Sequence, residues 1–441
     1  MRSLITGLIL AACAGAAAIP AAPTFNKDVL PILQKNCQTC HRPGEIGPMS
    51  FLTYDSTRPW AKSIKAAVLS KKMPPWFADP KYGHFANEKT LNDADIAKIT
   101  AWVDGGAVEG EPRDKPAPVQ WTDGWTVKPD IVFEMPKAYT VPKSGTVEYT
   151  YFVVPSGFTK DTWIIDGEVR PGNRSVVHHA SVHVRPPGSQ WLKGAKPGEP
   201  FVPPPASATP PPPAGTPPVD VRNEWLLGYV PGVHGEYFDI NHQAAKLIPA
   251  GSDLVFEMHY TPNRKEAVED RSKVGFVFAK APPKKRLLTL PVANLNFAIP
   301  PGDPNYEGRA EATFDQPVEL VYSQPHMHLR GKDMNIRLEY PTGESQMLVS
   351  VPHFDFGWQM IYYEQKPLNL PKGTRITLDA HWDNSPNNKY NPDPKATVRW
   401  GDQTWDEMIF AWVGVVVNPN TDEDKVMAVR NGNSANSSQP R

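Results

Sequence analysis

Cysteine is scarce in this chain, with three residues among 441. Cys13 lies in the N-terminal segment, and the other two, Cys37 and Cys40, belong to one short motif, Cys-Gln-Thr-Cys-His. If that motif binds another group, no disulfide can form in the rest of the chain. Stability must then come from buried apolar surface and from bound metals.

Long hydrophobic runs and net charge are also missing. No segment beyond the N-terminus approaches the roughly 18 apolar residues of a membrane-spanning helix, so we expect no transmembrane segment. The formal net charge is −1. Lysine and arginine are dispersed among acidic residues rather than clustered, which argues against a nucleic acid partner.

The N-terminal segment has the pattern of an export signal. A short apolar run at 4–12 follows Arg2, and small residues continue to Ala22. This predicts a signal peptide at residues 1–22 and a periplasmic or secreted protein, because the run is too short to cross a bilayer. The sequence Leu-Ala-Ala-Cys that ends at Cys13 also fits a lipobox, so a lipid anchor on Cys13 is the alternative.

Cys37, Cys40 and His41 have the spacing of a c-type haem attachment site. Two thiols at i and i+3 can add to the vinyl groups of a haem while the next histidine binds the iron. A zinc half-site and a redox-active disulfide are the alternatives. A zinc site needs a second Cys or His pair and a redox disulfide a βαβ pattern, and neither follows here. We therefore predict covalently bound haem c.

The second axial ligand of a cytochrome c iron is usually a methionine, and two methionines compete for this role. Met49 follows His41 by eight residues, which is a short chain to reach the opposite haem face. Met73 precedes two prolines in an extended segment that resembles the axial-methionine segment of small class I cytochromes c. We predict Met73 as the ligand, with Met49 as the alternative.

The residue pattern of the chain changes near Pro112. Residues 23–115 have helical periodicity and predict a small all-α cytochrome c domain. Short runs rich in Val, Ile, Tyr and Phe follow, punctuated by Pro and Gly, and they predict two antiparallel β-sandwich domains of jelly-roll-like type, at 116–284 and 285–430. A proline-rich loop is expected at 198–218 and a disordered tail at 431–441.

Patterned histidines suggest metal sites in the β-rich part. His326 and His328 are at i and i+2, on one face of a strand, where both can bind one ion. His178 and His179 are adjacent and can share a metal only at a strand end or a bulge. Spacing alone favours His179 with His183. Copper suits such a set because imidazole binds both of its oxidation states.

Four motifs, in this order, resemble the copper type II, ascorbate-dependent monooxygenases, the family of peptidylglycine α-hydroxylating and dopamine β-monooxygenases. The motifs are Val176-Val177-His178-His179, Glu257-Met258-His259-Tyr260, Pro325-His326-Met327-His328-Leu329-Arg330-Gly331 and Asp406-Glu407-Met408. The resemblance covers roughly residues 121 to 420. The order of the four motifs makes it far more specific than any single motif.

The resemblance implies two copper ions in two β-sandwich domains that flank a solvent-filled cleft. One copper, which stores an electron, would be bound by His178, His179 and His259. The other, which activates O2 for hydroxylation of a substrate C–H bond, would be bound by His326, His328 and Met408.

Three residues depart from the peptidylglycine pattern. Gln324, Phe410 and Trp412 replace the residues that grip a substrate carboxylate in those enzymes. A small organic substrate that is more apolar than a peptide C-terminus is therefore expected.

The haem motif ahead of such a module resembles bacterial fusions of a cytochrome c with a copper monooxygenase. The expected function is therefore an O2-dependent monooxygenase in which haem relays electrons from an ascorbate-like reductant or another redox protein. A non-catalytic electron-transfer or copper-binding protein is the alternative.

Overall fold

The computed structural model describes residues 22–121, 124–203, 224–230, 236–238 and 244–430. The predicted signal peptide up to residue 21, with Cys13, lies outside the described residues. So do most of the predicted proline-rich loop and the whole of the predicted tail at 431–441. In the described part of the chain, no helix is long and apolar enough to span a membrane, as the sequence predicted.

Short helices occupy the first hundred residues. The α-helices are α1 Leu30–Asn36, α2 Tyr54–Thr57, α3 Ala61–Leu69 and α4 Asp93–Asp104. The longest, α4, begins where the Asn92 side chain accepts a hydrogen bond from the Asp95 backbone N–H, and it ends at Gly105. Such a cap supplies an acceptor for a free N–H group of the first turn.

The rest of the described chain is built from strands. They are β1 Ile131–Glu134, β2 Tyr139–Val141, β3 Thr150–Pro155, β4 Thr162–Arg170, β5 Val177–Arg185, β6 Pro200–Phe201, β7 Trp225–Tyr229, β8 Glu236–Tyr237, β9 Ala244–Ile248, β10 Asp253–Tyr260, β11 Val268–Asp270, β12 Lys273–Phe278, β13 Lys285–Asn294, β14 Tyr306–Phe314, β15 Val318–His326, β16 Gly331–Glu339, β17 Ser345–Val351, β18 Tyr362–Leu370, β19 Arg375–Trp382, β20 Ile409–Val417 and β21 Met427–Arg430.

One nine-stranded sheet runs through both halves of the β-rich part. Its order is β1-β12-β4-β9-β13-β20-β15-β18, with β8 beside β4. The first half joins the second where β13 pairs in parallel with β9. Two five-stranded sheets, β6-β3-β10-β5-β7 and β17-β16-β19-β14-β21, and a two-stranded sheet of β2 and β11 complete the set.

Each five-stranded sheet shares a hydrophobic core with part of the nine-stranded sheet. One core joins β3, β5, β7 and β10 to β4, β9 and β12, and the other joins β14, β16, β17 and β19 to β13, β15, β18 and β20. Strand β20 serves both cores, since Val415 faces one and Val416 the other. This is the side-chain alternation of a strand that is buried on both faces.

The expected fold class, an all-α cytochrome c domain followed by two sandwiches, is wrong. The structure is mostly β-strands in several sheets, with short helices and no distinct all-α domain. The N-terminal helices do pack on a small apolar cluster around Phe25 and Trp102. However, the chain between α3 and α4 leaves that cluster, and Trp76 and Phe85 pack against Tyr362 of β18.

Backbone hydrogen bonds fix this N-terminal segment to the sheets. Asp79 donates to the Ser350 carbonyl at 2.8 Å, and Ala86 donates to the Tyr363 carbonyl at 2.8 Å. Helical periodicity in the sequence reported the local helices correctly, but it contains no information on which surface the segment between them covers.

Candidate functional site

Three histidines from two adjacent strands converge at one end of a five-stranded sheet. His178 and His179 lie at the start of β5, and His259 lies near the end of β10. Their candidate ligand nitrogens all lie within 4.8 Å of one another. Nδ1 of His179 is 3.2 Å from Nδ1 of His178 and 3.4 Å from Nδ1 of His259. We call this group the three-histidine cluster.

A β-bulge explains how two adjacent residues reach the same group. Where β5 pairs with β10, His179 is opposite His259. The next residue of β10, Tyr260, pairs with Val177 and not with His178. His178 is therefore the extra residue of the bulge, which turns its side chain out of the regular alternation.

His183 takes no part in the cluster, although spacing favoured it. Its Nε2 lies 3.1 Å from Oε2 of Glu257, and its ring packs against Trp191 at a centroid distance of 5.2 Å.

The three-histidine cluster is neutral at pH 7. Burial lowers the pKa of His259 to about 3, with a further contribution from His178. Burial also lowers the pKa of His179 and of His178, and the neighbouring rings lower that of His179 further. Neutral imidazoles present a lone pair without first losing a proton, which is the form that binds a metal ion. The cluster therefore fits copper, or another metal that prefers nitrogen ligands.

A second group forms where β15 ends. The rings of His326 and His328 are 5.1 Å apart between centroids and nearly perpendicular. Strand β20 pairs with β15, with Phe410 opposite His326, and this brings Met408 to the same end of the sheet. Met408, His326 and His328 line one cavity. The structure thus brings together the three residues that the resemblance implied for the second copper.

Hydrogen bonds orient both imidazoles of this group. Nδ1 of His326 is 2.8 Å from Oε1 of Gln359, and Nδ1 of His328 is 3.1 Å from the backbone oxygen of Asp406. In both rings Nδ1 therefore donates, which leaves the lone pair of the neutral imidazole on Nε2. Burial lowers the pKa of both histidines.

Glu407 stabilises the backbone that carries this second group. It is fully buried, and its carboxylate accepts hydrogen bonds from the backbone N–H groups of His328 at 2.9 Å and Arg330 at 2.7 Å. The Trp382 indole donates a third at 3.0 Å. Burial raises the pKa of Glu407 to about 7, although these donors favour the ionised form. One carboxylate thus fixes the backbone at His328 and at Arg330, two residues further along.

Two aromatic rings lie between the two groups. The Tyr149 ring is stacked 4.6 Å from that of His259 and 6.4 Å from that of His328, and its hydroxyl is 3.1 Å from Nε2 of His179. The ring of Phe356 is 5.6 Å from His259 and 5.8 Å from His328. The resemblance implied a solvent-filled cleft between two coppers. Here a single layer of rings separates the two groups.

A cavity of about 150 Å³ adjoins both groups. Its walls include seven aromatic side chains beyond Tyr149 and the histidines, together with the Gln324 side chain. The seven are those of Tyr151, Trp191, Trp225, Tyr229, Trp400, Phe410 and Trp412. Glu257 and Asp402 supply its carboxyl groups. Burial, reinforced by Glu257 and Asp406, raises the pKa of Asp402 to about 7. Among the described lining residues there is no Lys or Arg.

The haem motif lies in the turn after α1. Both cysteines have free thiols, and burial raises the pKa of Cys37 to about 12 and also raises that of Cys40. Nδ1 of His41 lies 3.3 Å from the Met49 carbonyl oxygen, so this nitrogen donates and Nε2 remains free for an iron. The Phe51 ring stacks on that of His41 at 4.4 Å. These residues fit a covalently attached haem.

The two candidate axial methionines lie in different surroundings. Met49 packs against the N-terminal apolar cluster and, through its carbonyl, fixes the His41 ring. Met73 follows α3 in the turn where its backbone N–H bonds to the Ala67 carbonyl at 3.3 Å. Its assignment as axial ligand stays a prediction.

Sequence reasoning did not identify three residues of this site. Glu407 belongs to the fourth of the sequence motifs, yet only the folded chain shows its contacts with His328 and Arg330. Tyr149 and Phe356 belong to no motif. Tyr149 directly precedes β3, and neither a single buried tyrosine nor a loop phenylalanine has a distinguishing signal in the sequence.

Comparison with known proteins assigns no family. No family model matches the chain, and no curated protein matches it. Among solved structures, the chain is similar to PNGase F, a glycosylasparaginase from Flavobacterium meningosepticum, with 11% identity, 67% of this chain and 100% of that chain covered, and a TM-score of 0.26. It is also similar to the structure of the infectious bursal disease virus Gx strain, with 8% identity, 71% and 78% covered, and a TM-score of 0.19. These likenesses are too weak to carry an argument.

Proposed function

We propose that this protein is an exported copper-dependent monooxygenase that uses O2 to hydroxylate a C–H bond of a small organic substrate, with electrons relayed by a covalently bound c-type haem. The observation that supports it is the pair of metal-ligand groups at one cavity. The three-histidine cluster lies on one side of Tyr149, and His326, His328 and Met408 lie on the other.

The ligand sets differ in a way that suits two roles. The three-histidine cluster offers nitrogen only, whereas the second group adds a thioether, which favours Cu(I). Copper in such sites supplies one-electron redox chemistry and O2 activation. The protein's part is to hold neutral imidazoles in place, which it does through Gln359 and the Asp406 carbonyl.

The cavity supports a small substrate. Its volume of about 150 Å³ is below the usual range of roughly 300–1,000 Å³ for sites that take drug-sized ligands. Phe410 and Trp412, whose rings are 4.7 Å apart, replace polar residues that would grip a carboxylate. Apolar walls exclude water, and this strengthens the electrostatic interactions inside the site.

The haem motif supplies the electron relay in this proposal. Nε2 of His41 is free, and two thiols are available for the vinyl groups. An external ascorbate-like reductant or another redox protein would reduce the haem.

Substrate-dependent O2 consumption by the haem- and copper-loaded protein tests the proposal. We expect about two copper ions per chain and O2 uptake that is lost in His326→Ala. Copper that binds and cycles without O2 uptake, for any of a panel of small apolar substrates, would favour a non-catalytic electron-transfer protein. A chain that binds no copper at these histidines would refute both the monooxygenase and the copper electron-transfer protein.

A further inference from the structure

The haem motif is joined to the first five-stranded sheet by a chain of buried ion pairs. The Glu45 carboxylate pairs with Arg42 at 2.9 Å and also with Arg174. The side chains of Arg42, Glu45 and Arg174 are 10%, 8% and 17% exposed, so solvent screens these pairs little. Arg42 directly follows the haem motif, and Arg174 precedes His178 by four residues. The two redox segments therefore meet at a fixed contact.

Tyr229 lies at the inner end of this contact. It ends β7 and is paired with Ala180 of β5, the residue that follows His179. Its ring is 2% exposed and lines the cavity that both metal-ligand groups adjoin. On its other side, the Arg174 guanidinium lies 5.6 Å from the ring centroid.

Arg174 joins Tyr229 to the haem segment, because its guanidinium contacts the Tyr229 ring and pairs with Glu45. Burial raises the pKa of Tyr229 to about 12, Arg174 opposes this rise, and Glu45 and Cys40 add to it. Cys40 would carry the thioether bond to the haem edge.

We propose that Tyr229, held by Arg174, is the contact through which electrons pass between the haem at Cys40 and the copper bound by the three-histidine cluster. The inference rests on the proposed function. When both groups are bound, one electron would leave ferrous haem, which would become ferric, and would reduce one Cu(II) to Cu(I). The external reductant then restores the ferrous haem. The Tyr229 ring contacts Arg174 on one side and lines the cavity on the other.

Flash photoreduction of the haem in anaerobic, fully loaded protein with oxidised copper tests this route. Reoxidation of the haem, followed by its visible absorption, reports transfer to copper without turnover. We expect Tyr229→Leu to lose the fast phase of reoxidation and Tyr229→Phe, which keeps the ring, to retain it. Tyr151→Leu is the matched control, because Tyr151 is 4% exposed and lines the same cavity.

Haem absorbance and copper content are measured first in every variant. An unchanged fast phase in Tyr229→Leu with both cofactors present overturns the route and leaves the proposed function intact. Equal loss in Tyr151→Leu overturns it too, because general repacking of the cavity then explains the effect. If Tyr229→Leu does not retain its cofactors, the same measurement is made on Arg174→Gln. An unchanged fast phase of haem reoxidation in Arg174→Gln rejects the route. A wild-type chain without copper refutes the proposed function and the route together.

Discussion

Replacing Glu407 with glutamine should weaken the second ligand group through the backbone. Oε2 of Glu407 accepts from the His328 N–H and from the Trp382 indole, and Oε1 accepts from the Arg330 N–H. A glutamine amide group presents one acceptor and one donor end. The lowest-cost placement directs its NH2 at Arg330, which leaves one buried N–H group without an acceptor.

The size of the effect follows from the number of buried N–H groups that lose their acceptor. One buried N–H donor that loses its acceptor costs about 1–3 kcal/mol. If the glutamine NH2 group instead faced His328 and Trp382, two donors would lose their acceptor. We therefore expect Glu407→Gln to lower the free energy of unfolding of the metal-free protein by about 1–3 kcal/mol. Because His328 is held by the same carboxylate, copper affinity of the second group should fall while the three-histidine cluster keeps its copper.

Denaturant unfolding at pH 8, above the pKa of about 7 for Glu407, measures the first effect. Copper titration by absorption and electron paramagnetic resonance measures the second. Asp406→Asn is the matched control, since it changes the same charge at the next residue, whose carboxylate accepts one long bond of 3.4 Å from Gln403. Equal destabilisation in both variants would refute the argument, and so would unchanged copper binding in Glu407→Gln.

Further predictions concern the ligands, the haem and pH. Met408→Leu should cost under about 1.5 kcal/mol of stability because it conserves volume, yet it should remove the copper–sulfur shell from the X-ray absorption spectrum of the reduced protein. His259→Ala should lower copper content from about two ions per chain toward one, because loss of a direct ligand exceeds the roughly 10–100-fold cost of second-shell changes, whereas His183→Ala should retain both ions. Met73→Ala should convert a low-spin haem spectrum to a high-spin one, and an unchanged spectrum would exclude Met73 as axial ligand. Glu364→Gln should flatten the pH dependence of unfolding. Burial raises the pKa of Glu364 from 4.5 to about 8, so the folded state holds a proton that the unfolded state releases in this range, and wild-type stability should fall by up to about 1.4 kcal/mol per pH unit between those values.

Strand positions could be predicted from the sequence because they depend on local alternation. Strands β3 and β10 are examples of the short runs rich in Val, Ile, Tyr and Phe that predicted the β-rich part. Their assembly could not be predicted in this way. The pairing of β9 with β13, which makes one sheet of two halves, is a contact between backbones and has no signature in side-chain pattern.

In the candidate site, too, local spacing could be predicted from the sequence, whereas contacts that depend on strand pairing could not. The i, i+2 spacing of His326 and His328 predicts a shared face, and in the structure their rings are 5.1 Å apart. The same alternation favoured His179 with His183, and both residues line the cavity. Four residues along a strand span roughly 13 Å, which leaves His183 outside the cluster, and the bulge at His178 brings that residue in instead. A bulge depends on register with the partner strand, which a single sequence does not show.

The attachment of the N-terminal segment changes how electron supply should be understood. A tethered domain would raise the effective concentration of a haem donor but would still have to find its acceptor by diffusion. Here the Asn87 side chain donates to the Ile361 carbonyl at 2.7 Å, Phe85 forms a β-bridge with Glu364, and Glu45 pairs with Arg174. These contacts hold the segment against the sheets at Glu45, just after the haem motif, and again at Phe85 and Asn87. Electron exchange in the proposed function should therefore be independent of protein concentration and of solvent viscosity, whereas a diffusing domain would slow as viscosity rises.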